Sequence, residues 1–227
     1  MDLNRWANLL EKEFYGWGSF NAYPREPRRY IEVLENVQGM TSPSNMHLLN
    51  LAVQCMEPGE CYLEVGTWRG ATLIGALLGN DAYGVAIDND TMDEHDKDER
   101  SSQEVWRENI ERFGIRGHAR YVDGSVPAVW KELALPGPAG VYLFDGDKST
   151  DDAAYAGLEG ALPFLAEQAL IVVDDANDTH IRRMTELLCR QYRDHAAKIF
   201  DLPTPGNCWP QWWNGVIAIA WSGRGLA

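Results

Sequence analysis

Cys61-Tyr62-Leu63-Glu64-Val65-Gly66-Thr67-Trp68-Arg69-Gly70 is the stretch of sequence that decides the fold. Its first five residues predict a short apolar strand, and the apolar residues 70–78 predict a helix directly after it. Gly66 would let the backbone pass close to a ligand, and Gly70 would let the helix start against the strand. A glycine turn between a strand and a helix is typical of ligand sites at the carboxyl end of an open parallel sheet.

Short apolar runs alternate with helical segments beyond this stretch. Such alternation is typical of crossover units, which build a parallel sheet covered on both faces. We therefore expect an α/β fold, with a Rossmann-like, doubly wound, mostly parallel sheet of seven strands. Residues 1–56 predict a helical N-terminal cap on a core of residues 57–227, within one domain, and the polar residues 91–102 predict a solvated loop. Further strands are predicted at 83–87, 119–122, 141–144, 170–173, 198–202 and 216–221, with helices at 151–165 and 179–192.

The composition is typical of a soluble globular protein, with 227 residues, 45% of them hydrophobic, and a formal net charge of −14. This charge repels phosphate backbones and anionic lipids, so we expect neither nucleic acid nor a membrane as a partner. The N-terminus lacks the basic start and apolar run of a signal peptide. Four cysteines without a CxxC pair fit reduced thiols. We expect a cytoplasmic protein, and the sequence leaves a homodimer open.

Two acidic residues indicate what kind of ligand the glycine turn binds. Asp88 ends the second predicted strand, where a carboxylate can accept hydrogen bonds from ribose hydroxyls. Glu64 stands inside the first strand, and a buried carboxylate there needs a partner. The turn lacks the Gly-x-Gly-x-x-Gly spacing that cradles a pyrophosphate. A nucleoside without a pyrophosphate is therefore favoured, and a dehydrogenase is disfavoured.

The segment from Glu64 to Gly70 resembles the first motif, E-x-G-x-x-x-G, of the class I S-adenosylmethionine-dependent methyltransferases. This resemblance implies that the turn holds the methionine part of the cofactor and that Asp88 binds its ribose. Residues 122–125 fall where that family contacts the adenine. The cofactor-binding residues implied in this way are Glu64, Gly66, Thr67, Gly70, Asp88, Gly124, Ser125 and Asp145.

Acidic residues end two further strands, at Asp145 and at the pair Asp174 and Asp175. In the doubly wound order these two strands are neighbours, about 4.8 Å apart. Three carboxylates at one edge of the cofactor cleft repel one another unless a cation or protons intervene. A hard ion such as Mg²⁺ takes oxygen ligands and keeps positions for substrate oxygens. The alternative is that these acids mark strand ends and cap helices, as Asp151 or Asp178 could.

Residues 144–148, Phe-Asp-Gly-Asp-Lys, followed by Asp174 and Asp175 resemble the cation-dependent O-methyltransferases. That group includes catechol and caffeoyl-coenzyme A enzymes and the sugar O-methyltransferases of macrolide and aminocoumarin pathways. The resemblance implies that Asp145, Asp174 and Asp175 are metal ligands and that Asp147 or Lys148 is the catalytic base. Because a lysine beside three acids stays protonated, whereas an aspartate is ionised already, Asp147 is slightly favoured.

We therefore expect an S-adenosylmethionine-dependent, Mg²⁺-dependent O-methyltransferase that acts on the hydroxyl of a small molecule. One alternative is a metal-independent N- or C-methyltransferase of the same fold, and another is a non-catalytic nucleoside-binding protein. Residues 203–213 contain three tryptophans. This loop could form a wall over the acceptor, or it could pack on the N-terminal helices or in a dimer contact.

Overall fold

The structure is a computed structural model that describes residues 1–89 and 100–225. The predicted solvated loop at residues 91–102 lies largely outside the described residues. The chain opens with the helices and the small hairpin that form the cap. These are α1 (Leu3–Glu13), β1 (Phe14–Tyr15), β2 (Tyr23–Pro24), α2 (Arg28–Asn36) and α3 (Pro43–Gln54).

The central sheet has seven strands within the described residues, in the spatial order β5-β4-β3-β6-β7-β9-β8. The five strands from β5 to β7 in that order run parallel to one another, whereas β9 is antiparallel to both of its neighbours. This arrangement confirms the predicted Rossmann-like, mostly parallel sheet. The strands are β3 (Cys61–Val65), β4 (Tyr83–Asp88), β5 (Ala119–Asp123), β6 (Ala139–Phe144), β7 (Leu165–Asp174), β8 (Ala196–Leu202) and β9 (Val216–Ser222).

Four helices connect the strands of the sheet in the described part of the chain. They are α4 (Ala71–Leu77), α5 (Ser102–Arg112), α6 (Asp151–Gly160) and α7 (Thr179–Gln191). Ser101 caps α5 with a capping box, since its hydroxyl accepts the Glu104 N–H and the Glu104 side chain accepts the Ser101 N–H. Helix α6 ends five residues before the predicted boundary, where a 3-10 turn containing Pro163 begins.

The start of β7 differs from the prediction, which placed the strand at 170–173. The strand begins at Leu165, because Leu165 pairs with Ala139 of β6 and Gln168 pairs with Ser222 of β9. Glu167 and Gln168 are exposed, so the neighbouring strands, and not apolar periodicity, extend this strand. Hydrogen bonding to β6 and β9 therefore extends the strand through residues whose own sequence is polar.

The inner strands of the sheet bury residues on both of their faces. In β7, Leu170 and Val172 join the hydrophobic cluster that contains α3. Ile171 and Val173 join the cluster on the opposite face, together with side chains of α6 and α7. This alternation with a period of two is what a strand covered on both sides requires. Helix α3 lies against the first face and is buried from Pro43 to Val53.

The tryptophan-rich loop packs on the N-terminal cap. Trp212 is fully buried and stacks on Phe14 with ring centroids 5.7 Å apart. The indole N–H of Trp209 donates to the carbonyl oxygen of Phe20 at 3.0 Å. The Ser42 hydroxyl donates to the carbonyl oxygen of Gln211 at 2.5 Å. This loop therefore connects the cap to the end of the sheet.

None of the helices in the described ranges has the length and apolar character that a membrane crossing requires.

Replacing Trp212 by alanine should lower the free energy of unfolding by about 3–5 kcal/mol, because it leaves a large cavity between the loop and the cap. The control is Trp209→Ala, whose side chain is partly exposed and should cost less. Chemical denaturation of both variants measures the difference. Equal losses from the two substitutions would show that Trp212 is not the anchor of the loop.

Candidate functional site

The turn after β3 has a backbone conformation that only glycine accommodates. Gly66 has a φ of +87°, and a Cβ atom there would lie 2.0 Å from the carbonyl oxygen of Asp145. The Gly66 N–H donates to Ile87 of β4 at 2.9 Å, and the Asp145 N–H donates to Val65 at 2.9 Å. These hydrogen bonds hold the turn between the carboxyl ends of β4 and β6. Gly66 thus permits a close approach to the backbone at Asp145, and its approach to a ligand stays a prediction.

Glu64 supports this turn from inside the protein. Its carboxylate is fully buried and accepts hydrogen bonds from the Tyr62 hydroxyl at 2.6 Å and the Thr72 hydroxyl at 2.9 Å. Burial raises the pKa of Glu64 to about 7, although these hydrogen bonds lower it. The expected partners of the buried carboxylate are therefore Tyr62 and Thr72.

Gly70 also helps to determine the conformation of the turn. It precedes α4 with a φ of +87°, and a Cβ atom there would lie 2.9 Å from the Trp106 ring. Neither Glu64 nor Gly70 lines the cleft described below. In the structure both residues shape the turn from behind it, and their assignment as direct cofactor contacts stays a prediction.

Asp88 lies beside the glycine turn at the end of β4. Its Oδ2 accepts the Trp68 N–H at 2.6 Å, and its Oδ1 accepts the Asn89 N–H at 2.8 Å. Trp68 has a φ of +45°, a conformation that few non-glycine residues adopt. The carboxylate is thus held in a fixed position at the edge of the cleft.

The cleft at the carboxyl ends of the strands has two adjoining compartments, of about 230 Å³ and 410 Å³. Both are lined by Gly66, Asp88, Asp145 and Gly146, so an elongated ligand can extend from one into the other. Of the other predicted residues, the first compartment contains Thr67, Lys148, Asp174 and Asp175. The second contains Gly124, Ser125 and Asp147. The structure therefore separates the two candidate bases, Asp147 and Lys148.

The three carboxylates at the strand ends meet in the first compartment, as the strand order predicts. Phe144 of β6 pairs with Val173 of β7, so the residues that follow them, Asp145 and Asp174, lie side by side. The Lys148 ammonium contacts Asp145 Oδ1 at 2.5 Å and also contacts Asp175 Oδ2.

Burial, neighbouring charges and hydrogen bonds shift the pKa values of Asp145, Asp147, Lys148 and Asp174. Burial raises the pKa of Asp145 to about 6, with Lys148 lowering it in part, and burial also raises the pKa of Asp174 well above its usual range. Burial alone would lower the pKa of Lys148, but Asp145, Asp175 and Asp174 raise it well above its usual range. The exposed Asp147 accepts the Ser149 N–H at 2.8 Å, which lowers its pKa. Lys148 is therefore an ammonium, and Asp147 is ionised.

The residues present fit a hard divalent cation by their chemistry. All three acids offer oxygen, and Asp174 Oδ1 is buried and makes no hydrogen bond within the described residues. As the side chains stand, no group of three or more His, Cys, Asp or Glu residues in the described ranges is arranged to hold a metal. Lys148 lies between two of the carboxylates and neutralises part of their charge.

The cap and the tryptophan-rich loop supply lining residues that the sequence did not reveal. The segment 38–41 before α3, together with Trp68, Trp213 and Asn214, lines the first compartment. Asn214 donates to Asp175 Oδ1 at 2.7 Å. Trp68 belongs to the glycine turn and Trp213 to the tryptophan-rich loop, but no spacing or motif distinguishes the other residues, because they reach the cleft only through tertiary packing. Trp213 lines the cleft, whereas Trp212 packs on the cap. Packing of the loop on the N-terminal segment is therefore observed, and its role as a wall over an acceptor stays a prediction.

Comparison with solved structures identifies proteins of the same fold. One is the O-methyltransferase from Bacillus cereus in complex with SAH, with a TM-score of 0.62 and 20% identity, covering 88% of this chain and 92% of that one. Another is the O-methyltransferase TomG from Streptomyces achromogenes, involved in tomaymycin synthesis, in complex with SAM. It has a TM-score of 0.63 and 17% identity, and covers 98% of this chain and all of that one. None of the curated protein sequences matches this chain.

A family model described as "Methyltransferase domain" matches residues 63–176, which is half of the chain. The match runs from β3 through the glycine turn to the acids that follow β7. It confirms the resemblance to class I S-adenosylmethionine-dependent methyltransferases that the motif at Glu64–Gly70 predicts. This chain belongs to that methyltransferase family.

Proposed function

We propose that this protein is an S-adenosylmethionine-dependent O-methyltransferase that methylates a hydroxyl of a small molecule with the help of a divalent cation. One observation carries the proposal: Asp145, Asp174 and Asp175 converge in the same cleft as the glycine turn. The two O-methyltransferases of the same fold, described in complex with SAH and SAM, support this assignment of the cleft.

The methyl donor would extend through both compartments. Its methionine part would lie against Gly66 and Thr67, its ribose against Asp88, and its adenine against Gly124 and Ser125. When bound, S-adenosylmethionine supplies a methyl group on a positively charged sulfonium. The acids that line the cleft favour such a cation by their field, and the wedged glycine turn holds the reacting end in a fixed orientation.

Asp145, Asp174 and Asp175 would hold the cation, with Asn214 fixing Asp175 in place. A bound divalent cation lowers the pKa of a coordinated hydroxyl, which makes the acceptor oxygen a better nucleophile. Lys148 contacts two of the same carboxylates, and its ammonium would orient the acceptor and compensate negative charge.

Asp147 would be the group that takes the proton of the acceptor hydroxyl, which requires the acceptor to extend past Gly146, the residue shared by the two compartments. It is exposed at the rim of the second compartment, and its lowered pKa keeps it ionised at neutral pH. Lys148 cannot accept a proton while three acids hold it as an ammonium. A base must be deprotonated before it can act, and Asp147 meets that requirement.

The contact of Lys148 with Asp145 and Asp175 also favours a second candidate function, a metal-independent N- or C-methyltransferase of the same fold. In that case the ammonium is the permanent counter-ion of the acids. The first experiment below separates the two functions.

Treatment with EDTA should abolish methyl transfer to a responsive acceptor from a panel of hydroxylated small molecules, and added Mg²⁺ should restore it. Asp145→Ala should lose both the turnover and the Mn²⁺ binding that electron paramagnetic resonance detects. The control is Asp151→Ala, which removes an acid paired with His180 and Arg183 on the surface. Full activity in EDTA would remove the metal from the proposal and leave the metal-independent function.

Asp88→Ala should weaken binding of S-adenosylhomocysteine by about 10- to 100-fold, because hydrogen bonds to a charged group contribute about 1.5–3 kcal/mol. Calorimetry with the purified chain measures this without an acceptor. Asp151→Ala again serves as the control and should bind normally. An unchanged affinity in Asp88→Ala would place the nucleoside elsewhere.

Asp147→Asn should lower kcat by a factor of about 10²–10⁴, as expected for loss of a general base. Lys148→Met should raise KM for the acceptor more than it lowers kcat, because Lys148 orients the acceptor. The pH dependence of both variants should be recorded from pH 5 to 10. The assignment of the base is wrong if Asp147→Asn is fully active while Lys148→Met alone changes the pH profile.

A further inference from the structure

Asp174 faces the cap, not only the cleft. Successive residues of a strand point to opposite faces, so Asp174 continues the row formed by Leu170 and Val172, which packs in the cluster that contains α3. The side chain is only 5% exposed. It lines the cleft and also a second, small cavity between α3 and the sheet. One carboxylate therefore connects the cleft with the underside of the cap helix.

Asn45 of α3 reaches the same small cavity. Its backbone N–H donates to the Ser42 hydroxyl at 3.1 Å, which fixes Asn45 in the first turn of the helix, and it is 6% exposed. Asn45 Oδ1 and Asp174 Oδ1 are both buried, and neither makes a hydrogen bond within the described residues. The cavity has a volume of about 10 Å³, and apart from Thr72 its remaining lining is apolar: Leu48, Leu49, Leu143, Val172 and Val216.

When Asp174 is ionised, as cation binding requires, two buried oxygens that share one cavity are costly, because a carboxylate oxygen and an amide oxygen both only accept hydrogen bonds. Two arrangements remove the cost. The oxygen and nitrogen of an asparagine amide are interchangeable by rotation, so the Asn45 amide can donate to Asp174 directly. Alternatively, one water can donate a hydrogen to each oxygen, and the cavity is close to the minimum size that a water needs.

We propose that Asn45 is a positioning residue for Asp174. A hydrogen bond to Asp174 Oδ1, donated by the Asn45 amide or by a water that the two residues share, fixes the carboxylate so that it presents its other oxygen to the cleft. The inference rests on the proposed cation-dependent function, because it makes a residue of the cap helix part of the support of the metal site. Such supporting residues typically change metal affinity by 10- to 100-fold when they are replaced.

Binding of Mg²⁺ and Mn²⁺ to the purified chain tests this inference by calorimetry, without an acceptor. Asn45→Leu should weaken metal binding by about 10- to 100-fold while its Tm stays within a few degrees of the parent or rises. Asn45→Ser, which keeps a hydroxyl donor and leaves room for water, should retain most of the affinity. The matched control is Ser44→Ala, which removes a buried hydroxyl that donates to Ala22 from the adjacent position of α3.

A high-resolution crystal structure provides an independent outcome. Asn45 within hydrogen-bond distance of Asp174, directly or through one ordered water, supports the inference, whereas Asn45 bonded elsewhere overturns it. If the parent chain binds metal and Asn45→Leu binds it equally well, the inference is wrong and the proposed function stands. If the parent chain binds no metal, the cation-dependent function fails, and with it the role of Asn45 at a metal site.

Discussion

A Cβ atom at position 66 would lie 2.0 Å from the carbonyl oxygen of Asp145, and this steric constraint governs the rest of the site. The close approach lets the turn after β3 pass between β4 and β6 while it keeps hydrogen bonds to both. Asp88 and Asp145 consequently flank the turn on its two sides. The cleft forms around this crossing, and its two compartments share the residues that meet there.

Charge compensation is the second constraint. Three carboxylates in one partly buried cluster carry more negative charge than the surroundings can solvate, and Lys148 is the cation within the described residues that contacts two of them directly. Asn214 adds a hydrogen bond to Asp175, but Asp174 Oδ1 has no such partner in the part of the chain that the structure describes. The cluster is therefore only partly neutralised by the protein, which is the electrostatic situation expected of a site that accepts a positively charged ligand.

The order and type of the sheet elements could be predicted from the sequence because strong periodicity and turn residues mark them. The same patterns predicted that Asp88, Asp145, Asp174 and Asp175 lie near one another, because the carboxyl ends of parallel strands lie at one edge of the sheet. The roles of Glu64 and Gly70 could not be separated from those of Gly66 and Thr67, because a motif does not say which side chains point inward. Residues such as Asn214 and Asn45 approach the acids only through packing between segments that are distant in the sequence. Local sequence patterns do not indicate such packing.

The aromatic contacts between the cap and the late part of the chain bear on how this protein is made. Trp6 stacks on Phe200 with centroids 5.8 Å apart, and Phe14 and Phe20 contact Trp212 and Trp209. During synthesis the N-terminal helices emerge from the ribosome first, but these partners follow nearly two hundred residues later. Until then the apolar side chains of α1 and the hairpin lack these late partners, and exposed apolar surface of this kind favours aggregation. The contacts between the cap and the tryptophan-rich loop can form only after that loop has been synthesised.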